Sequence, residues 1–420
     1  MRNEHLKNAV KTLCLCCVFL FAAGWPTERV HPREAGYGDA RSPAAVMIDF
    51  GSNSFNVTAL QGEANHIDQR ALQPNDPVRI ASISKFVMAL GVMRLVDQGK
   101  LDLDRDVNDY LSWDLHNPAF PRRSITLRQL MSHTAGLRDA AGYAIAVDIP
   151  LARITTDPKA WDLVHEPGSY FAYSNLNSQI IAAVIETTTQ LPSGHNAPFS
   201  KIMAEQVFAP LGLTACYNWV ACTDETAAKA VTLYDSEGKA LRDAEFREQP
   251  CSTVPATSGK CGYSKERAGV TGSPFSPQGG LRISAQQLAK VGQMFLNGGR
   301  VKSASADRSE LMKTRPFLKP GTVAELLKPI WVYDGNNGES EDGYFCAYGL
   351  SVHILALAGR PGVCKDDPFG DGITRYGHSG EAYGLRSGLW FDPESKTGTA
   401  FFRTQVPEND PAGHCIFSCD

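Results

Sequence analysis

Ser82-Ile83-Ser84-Lys85 sets a hydroxyl and an amine three residues apart, and on a helix that spacing puts both side chains on one face. A serine oxygen is a weak nucleophile until a neighbouring base takes its proton, and a lysine becomes such a base when burial lowers its pKa. Tyr173-Ser174-Asn175 follows the turn Pro167-Gly168; a phenol there can relay a proton and an asparagine can hydrogen-bond a substrate amide. Tyr376-Gly377-His378-Ser379-Gly380-Glu381 adds a titratable imidazole among glycines that allow close backbone approach by a substrate. Each motif has a plain structural counterpart, an N-cap serine with a surface lysine or an ordinary helix start. Serine-based acyl transfer is the chemistry these three motifs could carry together, and the structural readings stand beside it.

These residues need rigid supports. The apolar, proline-free run Phe86 to Val96 reads as a buried helix starting at or near Ser82. Ile125 to His133, Asn175 to Thr188 and Pro198 to Phe208 read as further helices, and Ser284-Ala285-Gln286-Gln287 as a capping box opening a helix to Leu296. Ala45 to Phe50 and Phe55 to Leu60 form a hairpin pattern; Leu385 to Phe391 and Thr399 to Thr404 flank a second turn. Strands at both chain ends with helices between them predict one antiparallel sheet, flanked by helices, with an inserted helical subdomain: α/β in the α+β sense.

The formal net charge of −4 over 420 residues gives no electrostatic case for nucleic acid. Arg2, Lys7 and Lys11 before the apolar run Leu13 to Ala23, then Ala22-Ala23-Gly24, predict a signal peptide over 1–24 and a secreted or periplasmic protein without a membrane span once it is cleaved. Residues 25–44 read as a linker, 45–406 as the folded domain, with a cysteine-bearing insertion at about 214–275, and 407–420 as a short tail. Eight cysteines remain: Cys216, Cys222, Cys251, Cys261, Cys346, Cys364, Cys415 and Cys419. An even count in an exported chain predicts disulfides, neighbour pairing being the simplest arrangement. No Cys-x-x-Cys spacing supports zinc, and no metal or cofactor is expected.

With these motifs in order, the chain resembles the penicillin-binding-protein and class C β-lactamase group of serine hydrolases. Flanking pieces match too: Arg79-Ile80-Ala81, Leu130 to Leu137 and Pro277-Gln278-Gly279-Gly280-Leu281. The resemblance implies Ser82 as nucleophile, with Lys85 and Tyr173 sharing general-base duty and Tyr173 returning a proton to the leaving group. It implies Asn175 as orienter of the lysine and of a substrate amide, and the backbone N–H groups of Ser82 and Glu381 as an oxyanion hole. His378-Ser379-Gly380 stands where many members carry Lys-Thr-Gly, so His378 is expected to partner Tyr173 and an anionic substrate group. Lys396-Thr397-Gly398 spells that motif but lies in a turn, and His133 reads as structural. Within the family, the histidine variant is similar to DD-carboxypeptidases, D-aminopeptidases and esterase-like members. The expected activity is cleavage of a small-molecule or peptide substrate, a D-amino-acid peptide, amide or ester, ahead of a dedicated β-lactamase or carboxylesterase, or an inactive peptidoglycan-binding member. Oligomeric state is not legible in the sequence.

Overall fold

The computed structural model describes residues 43–66, 68–234, 240, 265–302, 314–357 and 362–406. The predicted signal peptide, nearly all of the predicted linker, the predicted tail and Cys251, Cys261, Cys415 and Cys419 lie outside these residues.

The two chain ends build one sheet, as the strand patterns predict. Strands β1 (Ala45–Gly51) and β2 (Phe55–Gln61) form the first hairpin. The two-residue strands β3 (Val78–Arg79) and β4 (Cys216–Tyr217) flank β5 (Leu281–Ile283) in a separate three-stranded sheet. The main sheet is completed by β6 (Trp331–Val332), β7 (Ala347–Tyr348), β8 (His353–Leu355), β9 (Arg375–Ala382), β10 (Leu385–Asp392) and β11 (Thr397–Arg403). Its order is β6-β7-β8-β9-β10-β11-β1-β2, all antiparallel. Val46, Ile48 and Phe50 alternate into the core on β1, as period-two geometry requires.

Helix α1 (Ile83–Asp97) is buried over most of its surface, α2 (Leu127–Met131) and α3 (Leu176–Thr187) carry the middle of the chain, and α4 (Ala285–Leu296) packs on β1, β10 and β11. Gly292 makes that packing possible: a Cβ there would meet the Phe50 ring at 2.2 Å. The predicted helix after Pro198 is present, with a π turn over Ala204–Phe208. Ser284 caps α4 through Gln287 N, but the expected reciprocal box is open because Gln287 Oε1 accepts from Thr214 N instead. The full box occurs at Thr126 and Gln129.

On the outer sheet face Leu355, Trp390 and Phe401 are buried with Phe369 packed against them, so the connection between β8 and β9 supplies cover there. Disulfides join Cys216 to Cys222 and Cys346 to Cys364. The first of these lies in the predicted insertion, whose opening residues are core: β4 pairs with β5, and Trp219 is buried.

Candidate active site

Chain geometry delivers Ser82 to the head of α1 from an uncommon backbone. Ala81 has φ 51°, a left-handed conformation that costs a residue with a Cβ roughly 1–2 kcal/mol. Three bonds hold the turn behind it. Ser84 Oγ donates to Ala81 O at 2.6 Å and accepts from Leu281 N at 3.0 Å, and the Tyr217 hydroxyl donates to Ser84 O at 2.8 Å. Ser387 Oγ, on β10, donates to Ile80 O at 2.9 Å. The sheet and α1 are thereby locked together at Ser82.

Lys85 is 1% exposed, and its Nζ lies 3.0 Å from Ser82 Oγ, 2.7 Å from Asn175 Oδ1 and 3.0 Å from Gln278 O. Burial lowers its pKa from 10.5 to about 7, with the Asp139 anion pulling the other way. Its ammonium end also sits 4.8 Å from the centre of the Tyr173 ring. Tyr173 packs on Phe345 and His133, with ring centres at 5.1 and 4.4 Å. Burial holds this phenol well above its ordinary pKa, so it stays protonated. Its hydroxyl approaches Ser82 closely enough to feel it, without the geometry of a completed hydrogen bond, and is sealed from solvent. Such bonds often tighten only once substrate binds.

Asn175 stands at the start of α3, and Asp139 fixes its side chain. The Asp139 carboxylate accepts from Ser174 Oγ at 2.8 Å and from Asn175 N, Asn175 Nδ2 and Leu176 N at 2.9 Å each. A carboxylate only accepts. Asn175 must therefore turn its amide nitrogen to Asp139, which leaves its oxygen for Lys85. His133 Nδ1 accepts from Ser174 N at 3.1 Å, and burial holds that imidazole neutral. Asp139 and the Gln278 carbonyl are functional groups that sequence reasoning missed. Asp139 sits 36 residues from Asn175 and belongs to no local capping pattern, while a backbone carbonyl carries no residue signature at all.

Ser82, Tyr173, Asn175, His378, Ser379 and Glu381 line one open cavity of about 380 Å³. The expected role of His378 needs correction. Its Nδ1 donates to Ser379 O at 2.6 Å, its Nε2 accepts from the Tyr348 hydroxyl at 2.8 Å, and its ring centre is 6.2 Å from that of Tyr173. Burial, reinforced by Lys85, lowers its pKa to about 3. It is a neutral wall residue with both nitrogens occupied, not a proton partner of Tyr173 or a cation for an anionic group. Ser379 Oγ accepts from the Tyr344 hydroxyl at 2.6 Å. The bare Cα of Gly380 has a packing role: a Cβ would stand 2.1 Å from Ile80 O. Lys396 is exposed, with φ 56°, in the turn between β10 and β11.

The Beta-lactamase family model matches residues 30–416. The chain belongs to the beta-lactamase family. It is accordingly a serine hydrolase with the β-lactamase/transpeptidase-like fold. Among its family relatives, D-alanyl-D-alanine-carboxypeptidase/endopeptidase AmpH of Escherichia coli (strain K12) is 26% identical over 348 residues, which is 81% of this chain and 76% of that protein. Among solved structures, the octameric penicillin-binding protein homologue from Pyrococcus abyssi matches with a TM-score of 0.58 at 20% identity, covering 88% of this chain and 71% of that one. The D-amino acid amidase from Ochrobactrum anthropi SV3 matches with a TM-score of 0.54 at 16% identity, covering 89% and 93%. These two establish the fold. Like them, this beta-lactamase family member combines a large antiparallel sheet with flanking helices.

Proposed function

We propose that the protein is an exported serine hydrolase that cleaves D-amino-acid peptides, amides or esters through an acyl-enzyme on Ser82. The observation that carries the reading is the set of three partners around Lys85 Nζ. A neutral amine has two N–H donors and one lone pair. Asn175 Oδ1 and Gln278 O can only accept, so they take both protons. The lone pair is left facing the Ser82 hydroxyl at 3.0 Å. A pKa of about 7 keeps about half of Lys85 in that form at neutral pH.

In the first step Lys85 takes the Ser82 proton as Oγ bonds to the scissile carbonyl carbon. The oxygen gains the negative charge, facing the backbone N–H groups of Ser82 and Glu381; one such donor is worth roughly 3–4 kcal/mol. Collapse of that adduct expels the amine or alcohol. Tyr173, a neutral phenol with a free hydroxyl proton, supplies the proton the leaving group needs and recovers one from Lys85. Water then repeats the sequence on the ester. The presence and assembly of Ser82, Lys85 and Tyr173 support turnover over a binding-only role. The substrate class follows the carboxypeptidase and amidase relatives, and the disulfides support an oxidising compartment. No helix among the described residues is long and apolar enough to cross a membrane.

Mass spectrometry after treatment with a fluorophosphonate or a penicillin is expected to show one adduct, on Ser82, that disappears in Ser82→Ala. Equal labelling of Ser82→Ala overturns the reading.

A further inference from the structure

The cavity over Ser82 has an uneven charge inventory. Its charged lining residues are Arg79, Glu341 and Glu381. Arg79 is committed: its Nε donates to Gly279 O at 3.1 Å and its guanidinium lies 4.7 Å over the Tyr383 ring, leaving it 6% exposed. Glu381 forms an ion pair with Arg386 across β9 and β10. His378 is neutral, and Lys85 is spent on the nucleophile. Glu341 is different. Its side chain is exposed to the cavity and has no ion pair or hydrogen bond among the described residues.

The backbone is built to present it. Glu341 and Asp342 both have positive φ, 45° and 56°. Their turn is closed by Gly343 N to Ser340 O at 3.1 Å, Tyr344 N to Glu341 O at 3.1 Å and Phe345 N to Ser340 O at 2.9 Å. The disulfide Cys346–Cys364 anchors the next residue but one after Tyr344. The aromatic residues Tyr143, Tyr344, Phe345 and Tyr383 line the same space, and aromatic rings attract cations. A cationic ligand group in the cavity gives this carboxylate the opposite charge it lacks.

We propose that Glu341 is the recognition subsite for a substrate ammonium. Ser82 then acts on amides, esters or peptides whose acyl residue carries a free amino group, in preference to substrates that present a carboxylate or a blocked amine. This rests on the Ser82 acyl-enzyme reading and narrows its substrate class. An α-carboxylate, the mark of a carboxypeptidase substrate, meets no uncommitted cation in this cavity. An ammonium meets an uncommitted carboxylate.

The test compares D-alanine p-nitroanilide, N-acetyl-D-alanine p-nitroanilide and N-succinyl-D-alanine p-nitroanilide at pH 7 on the full protein. A single charge contact is expected to give kcat/KM about tenfold or more in favour of the free amine, with the succinyl compound poorest. Glu341→Gln is expected to bring the free-amine to N-acetyl ratio close to one, and Glu341→Lys to favour the succinyl substrate. Equal rates for the three substrates in the unmodified protein, a measurement that needs no variant, overturn the proposal; so does a preference that survives Glu341→Gln. Fluorophosphonate labelling in the same preparations separates the two levels. Labelled Ser82 with no amine preference removes only the Glu341 subsite, whereas unlabelled Ser82 with no turnover removes the acyl-enzyme reading and the subsite with it.

Discussion

Replacing Asp139 by asparagine tests the site where its parts are most tightly linked. One Asp139 oxygen takes Ser174 Oγ and Leu176 N, and the other takes Asn175 N and Asn175 Nδ2. Asparagine keeps the shape but turns one oxygen into a donor that faces two donors. Whichever way the new amide turns, two of the four bonds fail. Hydrogen bonds to a charged group are each worth roughly 1.5–3 kcal/mol. If one such interaction is lost from the transition state because Asn175 no longer presents its oxygen to Lys85, kcat/KM falls by about 10- to 150-fold. The pH profile moves as well. Acylation requires neutral Lys85, so the rate rises with pH through a pKa of about 7, and at pH 6 only about a tenth of the amine is competent. The Asp139 anion opposes burial by raising that pKa. Without it, the limb shifts to lower pH. The assay is the rate of p-nitrophenyl ester acylation from pH 5 to 9, in Asp139→Asn and in the same change made on Asn175→Ala. The expected result is a lower plateau, an acid-shifted limb and a smaller effect in the Asn175→Ala background. A plateau within twofold of the unmodified protein, or a limb that stays put or moves to higher pH, would refute the coupling.

Two further predictions concern the sheet side of the cavity. His378 has a folded-state pKa of about 3, below the ordinary imidazole value of 6.5. Between those values the unfolded chain binds the proton that the folded one refuses, so this group's contribution to stability is lost as pH falls from 6.5 towards 3. NMR of the His378 ring is expected to show a neutral Nδ1–H tautomer from pH 8 to 5; a midpoint between 6 and 7 sinks the assignment. Gly380→Ala places a Cβ 2.1 Å from Ile80 O, which must push β9 away from the entry to Ser82. A stability loss of about 1–3 kcal/mol is expected from such overpacking, together with a fall in kcat at unchanged fold by circular dichroism. Denaturant midpoints and acylation rates that match the unmodified protein would show that the close approach is not required.

What a single sequence makes legible is what short-range geometry dictates. The pair Ser82 and Lys85 depends on one helical turn, and the apolar run after it forces that turn to be helical and buried. Two short apolar runs around a polar turn, Ala45 to Leu60 and Leu385 to Thr404, expose the hairpins, and joining them leaves one sheet from both chain ends. Tyr173 and Asn175 announce a helix start with the right chemistry. Other features depended on tertiary contacts. Asp139 acts on Asn175 only because two loops meet, and Gln278 acts through a carbonyl that every residue possesses.

His378 shows most clearly what only the tertiary structure decided. Its sequence position suggests a titrating imidazole, yet its charge state is set by the dielectric and the partners around it: the Tyr348 hydroxyl, the Ser379 carbonyl and the nearby Lys85. The same burial that makes Lys85 a usable base keeps His378 neutral, because taking any cation out of water is costly. Residue types and spacing thus determined that a serine and a lysine would meet. The assembled fold decided their protonation, the orientation of Asn175, and which cavity charges remain unpaired, since each depends on groups far apart in the chain.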